Sequence, residues 1–156
     1  MCRVYSPLPT VVPIIAGRDN VLTRGIAERA RKSPKKVVFA EGDNLKVLKA
    51  AEAVMDEGVA IPILLGPEDK IREMIAESEF SLEGVQIIDP RVDSHFEERK
   101  AFGEIYFRKR MRKGLTLLEA ERTMRERNYF GAMMVETGKA DALISGMTRN
   151  YPRVIS

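Results

Sequence analysis

The sequence predicts an α/β domain: a mainly parallel sheet with helices on both faces, in three α/β/α layers. Three observations predict it. Four short apolar runs, at 37–40, 61–65, 85–88 and 142–145, have the length and composition of strands. Between them, apolar residues recur at helical spacing and are bounded by helix start and stop signals. The resulting order is strand–helix, strand–helix, strand, three helices, strand, and alternation of that kind implies crossovers between parallel strands.

Residues 1–17 read as an arm or interdomain linker, because Pro7, Pro9 and Pro13 interrupt any helix while Val11, Val12, Ile14 and Ile15 call for a packing partner. Residues 18–156 form the domain proper. Asp19 to Lys32 is a basic helix with Leu22, Ile26 and Ala30 on one stripe, ended by Ser33-Pro34. The first strand, Val37 to Ala40, breaks at Glu41-Gly42, where glycine permits a tight turn and Asp43 or Asn44 caps the next helix. That helix, Leu45 to Glu57, turns Leu45, Leu48, Ala51 and Met55 inward and stops at Gly58. Pro62 restricts the second strand, Ile61 to Leu65, to an arrangement in which the proline lies near its start or at an edge. Pro67, Glu68 and Asp69 open a helix whose inner face is Ile71, Met74 and Ile75. Val85 to Ile88 is the third strand.

Ser94 and Glu97 have capping-box spacing before a long helix carrying Phe96, Phe102, Ile105 and Tyr106 and reaching Lys113. Thr116 and Glu119 repeat that spacing before a helix lined by Leu117, Ala120 and Met124. Asn128 separates it from Tyr129 to Thr137, which is apolar nearly all round and so reads as buried. Gly138 closes that helix, and Ala142 to Ser145 is the fourth strand. A doubly wound sheet continues with another covering helix, so the chain reads as the first part of a longer domain.

Composition excludes some functions. Hydrophobic residues make up 44% of the 156, a globular proportion. The 26 basic and 23 acidic residues nearly balance at +3, and no aromatic residues interleave the basic run at 108–113, which argues against nucleic acid. The single Cys2 excludes an intramolecular disulfide and a cysteine metal cluster, and fits the cytoplasm. No apolar run spans a bilayer. His95 is the only histidine and lacks partners for a metal site or a triad, so no catalytic or metal-ligating residue is assigned.

Ligands of open α/β sheets bind beyond the carboxyl ends of strands. Two loops stand there. Glu41-Gly42-Asp43-Asn44 is explained by a capped strand–helix junction, or forms part of a binding site. Ser145-Gly146-Met147-Thr148-Arg149 places hydroxyls and a guanidinium where a phosphate or carboxylate would bind, or is a solvated loop. The run Arg108-Lys109-Arg110-Met111-Arg112-Lys113 matches a helix C-terminus complementing its dipole, or contacts an anionic ligand such as a CoA phosphate.

Several stretches in order, Pro34-Lys35-Lys36-Val37-Val38-Phe39-Ala40-Glu41-Gly42-Asp43, Val47-Leu48-Lys49-Ala50-Ala51, Gly58-Val59-Ala60-Ile61-Pro62-Ile63-Leu64-Leu65-Gly66 and Gly138 to Gly146, resemble the phosphate acetyltransferase/butyryltransferase family over residues 20–152. Within it, Lys113-Gly114-Leu115-Thr116, residues 128–136 and Thr148-Arg149-Asn150-Tyr151-Pro152 look most like the C-terminal domain of hybrid NADP-dependent malic enzymes. The resemblance implies an isocitrate dehydrogenase-like fold of which this chain supplies the first subdomain only. It also implies a cleft for acetyl-CoA or a related acyl-CoA or acyl phosphate, lined here by Glu41, Gly42, Asp43, Asn44, Ser145, Gly146, Thr148 and Arg149. The expected role is that of a regulatory domain sensing acetyl-CoA and aiding assembly into a homo-oligomer. In the parent enzyme, NADP and Mg or Mn would serve the decarboxylation of malate to pyruvate in a missing domain, and the fragment alone would be inactive and hold no cofactor. The alternative is a phosphate acetyltransferase, interconverting acetyl-CoA and acetyl phosphate. Met147-Thr148-Arg149 departs from the small residues that follow the fourth strand in the transferases, which favours the regulatory reading.

Overall fold

A computed structural model describes residues 21–147, with side chains from Arg24 onward; the arm at 1–17 and the predicted site residues Thr148 and Arg149 lie outside the described residues. The elements, in chain order, are α1 (Val21–Lys32), β1 (Lys35–Phe39), α2 (Leu45–Asp56), β2 (Ala60–Leu65), α3 (Glu68–Glu77), β3 (Gln86–Ile88), α4 (Phe96–Arg110), α5 (Leu117–Thr123), α6 (Arg127–Glu136) and β4 (Ala142–Ile144). All strand pairs are parallel, and the sheet order is β3-β2-β1-β4.

Alternation along the strands divides the core. Phe39 and Leu64 point to one face, where Val47, Leu48 and Ala51 of α2 and Ile71 of α3 bury them. Val38, Ile63, Leu65 and Ile88 point to the other, under Phe102 of α4, Met124 beyond α5, and Phe130, Met133 and Met134 of α6. The chain builds outward through β2 and β3, then returns to the far side of β1. With crossovers of one hand, that reversal of direction moves the connecting helices to the opposite face. The three predicted layers are therefore present.

Several local expectations are corrected. The Ser94–Glu97 capping box does not form: Asp93–His95 makes a 3-10 turn, the helix starts at Phe96, and the residue before it makes no side-chain cap. The Thr116–Glu119 box does form, with both of its hydrogen bonds present. Asn128 does not separate two helices but sits in the first turn of α6. That helix is not buried all round, because Ala132 and Glu136 are exposed. Leu45, expected to turn inward, and Ile26 and Leu117, expected on apolar stripes, are all exposed, as is Phe96; in α2 it is Val47 that turns inward beside Leu48 and Ala51. Pro62 is the third residue of a central strand, yet β3 pairs only from Ile63 onward, so the missing N–H is needed by no strand on that side.

Gly42 is required for close approach rather than for turn conformation. Its φ is not positive, but a Cβ there would lie 3.0 Å from both Ile71 Cδ1 and Leu64 Cβ and 3.1 Å from the Leu65 carbonyl oxygen. The same need for space recurs at Gly131, where α6 lies on the sheet and a Cβ would come within 2.7 Å of Leu143 Cδ1.

Candidate functional site

The direction of the sheet reverses between β1 and β4. After β1 the chain enters α2 on one face, while α6, which leads into β4, lies on the other, so a crevice opens between the two strand ends. Both predicted loops reach this point. The Ala40 N–H donates to the Ile144 carbonyl at 3.0 Å and the Gly42 N–H to the Leu65 carbonyl at 3.0 Å, so the loop after β1 remains pinned between its two neighbours.

A cavity of about 260 Å³ lies in the crevice, lined by Phe39, Val47 and Ala50 on one side and Ile144, Gly146 and Met147 on the other, with Glu41, Lys46 and Ser145 as its polar groups. Glu41 is 7% exposed, and its Oε2 accepts the Met147 N–H at 2.7 Å, which ties the loop after β4 to the end of β1. Gly146 adopts φ 109°, a conformation that favours glycine, as the chain turns past the cavity. Ser145 Oγ donates to Asn128 Oδ1 at 2.7 Å, so its hydroxyl is oriented by α6. Asn44 is the N-cap of α2, its Oδ1 accepting the Lys46 N–H at 2.9 Å. Lys46 therefore rides on the first turn of a helix whose positive dipole end faces the crevice.

The structure thus brings Glu41, Ser145 and Gly146 together at one cavity. Gly42, Asp43 and Asn44 do not line it. Gly42 packs under α3, and Asn44 caps α2. Asp43 turns toward α6, where Arg127 Nη1 and Nη2 donate to Oδ1 and Oδ2 at 2.6 and 3.3 Å and Lys70 Nζ stands 3.5 Å from Oδ2. Burial works to raise the Asp43 carboxyl, but the hydrogen bond and charge of Arg127, helped by Lys70, outweigh it and hold the group below its ordinary value. Lys46, Asn128 and Arg127 were missed as contributors. Only Lys46 had a sequence signal: it stands two residues past a capping asparagine at a strand's end, where a side chain projects over the crevice. The basic run at 108–113 is largely engaged locally: Arg108 lies 3.9 Å from Glu104, Lys109 pairs with Glu136, and Arg110 lies over the Tyr106 ring.

One ammonium, the positive end of a helix and a glycine turn beside apolar walls suit an anionic group attached to an apolar one. The carboxylate of Glu41 is committed to the backbone of the opposing loop. Among the described residues, no group of three or more His, Cys, Asp or Glu side chains is placed to hold a metal, and no helix is long and apolar enough to cross a membrane.

The fold defines a doubly wound α/β domain with a crevice at the carboxyl edge of its sheet. The chain belongs to the phosphate acetyl/butaryl transferase family, which matches residues 21–156. It is 38% identical over 125 residues to a phosphate acetyltransferase of Thermoanaerobacterium thermosaccharolyticum, covering 80% of this chain and 37% of that protein. It is 33% identical over 141 residues to an NADP-dependent malic enzyme of Rhizobium meliloti, covering 87% of this chain and 18% of that one. Among solved structures, a phosphotransacetylase from Streptococcus pyogenes superposes with a TM-score of 0.74 at 32% identity, over 86% of this chain and 40% of that one. The chain therefore spans less than half the length of each of these relatives.

Proposed function

We propose that this chain forms one wall of an acyl-transfer site, in which acetyl-CoA or acetyl phosphate lies over the carboxyl ends of β1 and β4. The observation that carries the reading is the cavity between those strands, where Lys46 and the α2 terminus meet apolar walls. In the reaction, the CoA sulfur attacks the acetyl carbonyl; a C–S bond forms, the bond from carbonyl carbon to phosphate oxygen breaks, and phosphate leaves with the electron pair. The thiol proton passes to a base, and no residue of this chain is assigned that role. Lys46 would neutralise phosphate charge, Glu41 would hold the Ser145–Met147 loop in place, and Thr148 and Arg149 would extend the anion contacts. In this reading the second wall would come from the second subdomain of the family's fold.

A second reading is favoured by one observation, the longer match to the malic enzyme: 141 residues, against 125 for the transferase. In it the same cavity binds acetyl-CoA as an effector within a homo-oligomer. NADP and Mg or Mn would act in a separate catalytic domain, and acetyl-CoA would shift that domain's malate kinetics.

The test is made on the protein that carries this segment, assayed for CoA-dependent consumption of acetyl phosphate and for malate oxidation with and without acetyl-CoA. Transferase activity in which Lys46→Ala lowers kcat/KM by about tenfold to a hundredfold is expected, the loss of one charge-assisted contact. An active transferase whose KM values for CoA and acetyl phosphate ignore Lys46→Ala would sink the site assignment. Absence of transfer, with malate oxidation that responds to acetyl-CoA, would decide for the second reading.

A further inference from the structure

A second cleft lies away from the switch point, between α4 and α5. Its volume is about 440 Å³, in the range of small-molecule sites. Two helical stripes face each other across it. Phe96, Arg99 and Lys100 come from α4 at spacings i, i+3 and i+4; Leu118, Glu121, Arg122 and Arg125 come from α5 and the turn after it at i, i+3, i+4 and i+7. The helices are held close one turn further along, where a Cβ on Gly103 would lie 2.9 Å from Glu121 Cα.

Four cationic side chains meet one carboxylate here, an excess of three positive charges. Arg99 is the most telling of them. Its side chain is only 4% exposed. Nη1 donates to the carbonyls of Pro90 and Val92 at 2.9 and 2.5 Å, but Nη2 has no hydrogen-bond partner among the described residues. The nearest acid is Asp93, whose Oδ1 is 3.9 Å from Nη2 and whose side chain is fully exposed. A buried guanidinium with an unfilled donor is costly and calls for an acceptor. No described carboxylate lies within ion-pairing distance of Lys100 or Arg125, on the opposite walls. Phe96 and Leu118, 52% and 57% exposed, supply an apolar rim beside these charges.

We infer that this cleft binds a dianionic phosphate ester carrying an apolar or aromatic group, at a site separate from the one between β1 and β4. The phosphate is held by Lys100, Arg122 and Arg125, with the buried Arg99 charge behind them, and the organic portion lies against Phe96 and Leu118. Two negative charges suit the local excess better than one, which favours a phosphate ester over a monocarboxylate.

The experiment titrates the 156-residue chain with phenyl phosphate, inorganic phosphate and benzoate, by calorimetry and by amide chemical shifts at fixed ionic strength. Phenyl phosphate is expected to bind at least tenfold more tightly than either of the others, with shifts centred on Lys100, Arg122 and Arg125. Arg125→Gln should weaken it about tenfold, and Leu118→Asn should erase its advantage over inorganic phosphate. Lys46→Ala, in the other cavity, should leave it unchanged. Because Arg99→Met also removes the clamp on residues 90–92 and can unfold the chain, Lys100→Gln serves as the second cation variant, with a further expected weakening. Equal affinities for the three probes, indifference to both Arg125→Gln and Leu118→Asn, or shifts centred on Lys46 and Gly146 would overturn the inference.

Discussion

Replacing Arg127 by methionine isolates the contact that sets the geometry of the first loop. The guanidinium donates twice to Asp43, 84 residues earlier in the chain, at 2.6 and 3.3 Å, with side-chain exposures of 16% and 23%. Fully exposed ion pairs contribute about 0.2–1 kcal/mol, whereas breaking a buried one costs about 3–5 kcal/mol. This pair lies between those limits, and Lys70 at 3.5 Å still partly compensates the orphaned carboxylate. A loss of about 2 kcal/mol is expected, a fall in Tm of roughly 4–8 °C for a domain of this size. Urea unfolding of Arg127→Met, Asp43→Asn and the double variant should give a coupling of about 1–2 kcal/mol at pH 7. The pH dependence supplies a second check. Because the folded carboxyl titrates below its unfolded value of about 3.9, its contribution is complete above that pH and is lost as pH falls through the folded value. The gap between wild type and Arg127→Met should therefore be constant from about pH 5 to 7 and close below about pH 4. A coupling below about 0.5 kcal/mol at pH 7, or one that survives full protonation of Asp43, would refute the reasoning.

Gly103→Ala should destabilise by about 1–3 kcal/mol in denaturant unfolding, because its Cβ would meet the Glu121 backbone at 2.9 Å and the α4–α5 pair would have to separate. Gly131→Ala should cost less, since its 2.7 Å contact is with the tip of the Leu143 side chain, which can turn aside. Thr116→Ala should cost about 1 kcal/mol by removing the α5 capping box, measured the same way. Glu41→Ala should speed hydrogen exchange at the Met147 amide while leaving the amides of β2 protected, since that amide loses a 2.7 Å acceptor.

What could be read from the chain was periodicity and punctuation. The four strands, the parallel arrangement and the two carboxyl-end loops follow from apolar runs and from where glycine, proline and capping residues interrupt them. The misread helix faces share one cause: a stripe of apolar residues specifies that a helix is amphipathic, but not how wide a face its neighbours cover. Leu45, Phe96 and Leu117 sit at the margins of their stripes, and the structure leaves each exposed. The apparent box at Ser94 failed because the Asp93–His95 turn moved the helix start past it. The two loops were likewise judged by residue type, so Asp43 was grouped with the site. Its partner Arg127 lies 84 residues away, and no local pattern announces it.

The location of the crevice depends on a choice that local patterns leave open, namely which side of the sheet β4 joins. Three contacts decide it in favour of β1. Just before β4, the Asp141 N–H donates to the Lys36 carbonyl at 2.8 Å, and the Lys36 N–H donates to the Asp141 carboxylate at 2.9 Å, closing a reciprocal pair that fixes the register at Val37↔Ala142. That backbone hydrogen bond from Lys36 is also the largest cause that holds the Asp141 carboxyl below its ordinary value. One face above, Gly131 of α6 rests on Val38 and Leu143, which are partners in the β1–β4 ladder. A side chain longer than alanine's would lift the helix from the seam that these two strands share. At the far end, Glu41 accepts from Met147 and closes the seam over the cavity. Asp141, Gly131 and Glu41 thus fasten β4 to β1 at its start, its middle and its end. Since a crevice opens only where strand order reverses, the residues that seat β4 are also the ones that create the site, although only Glu41 lines it.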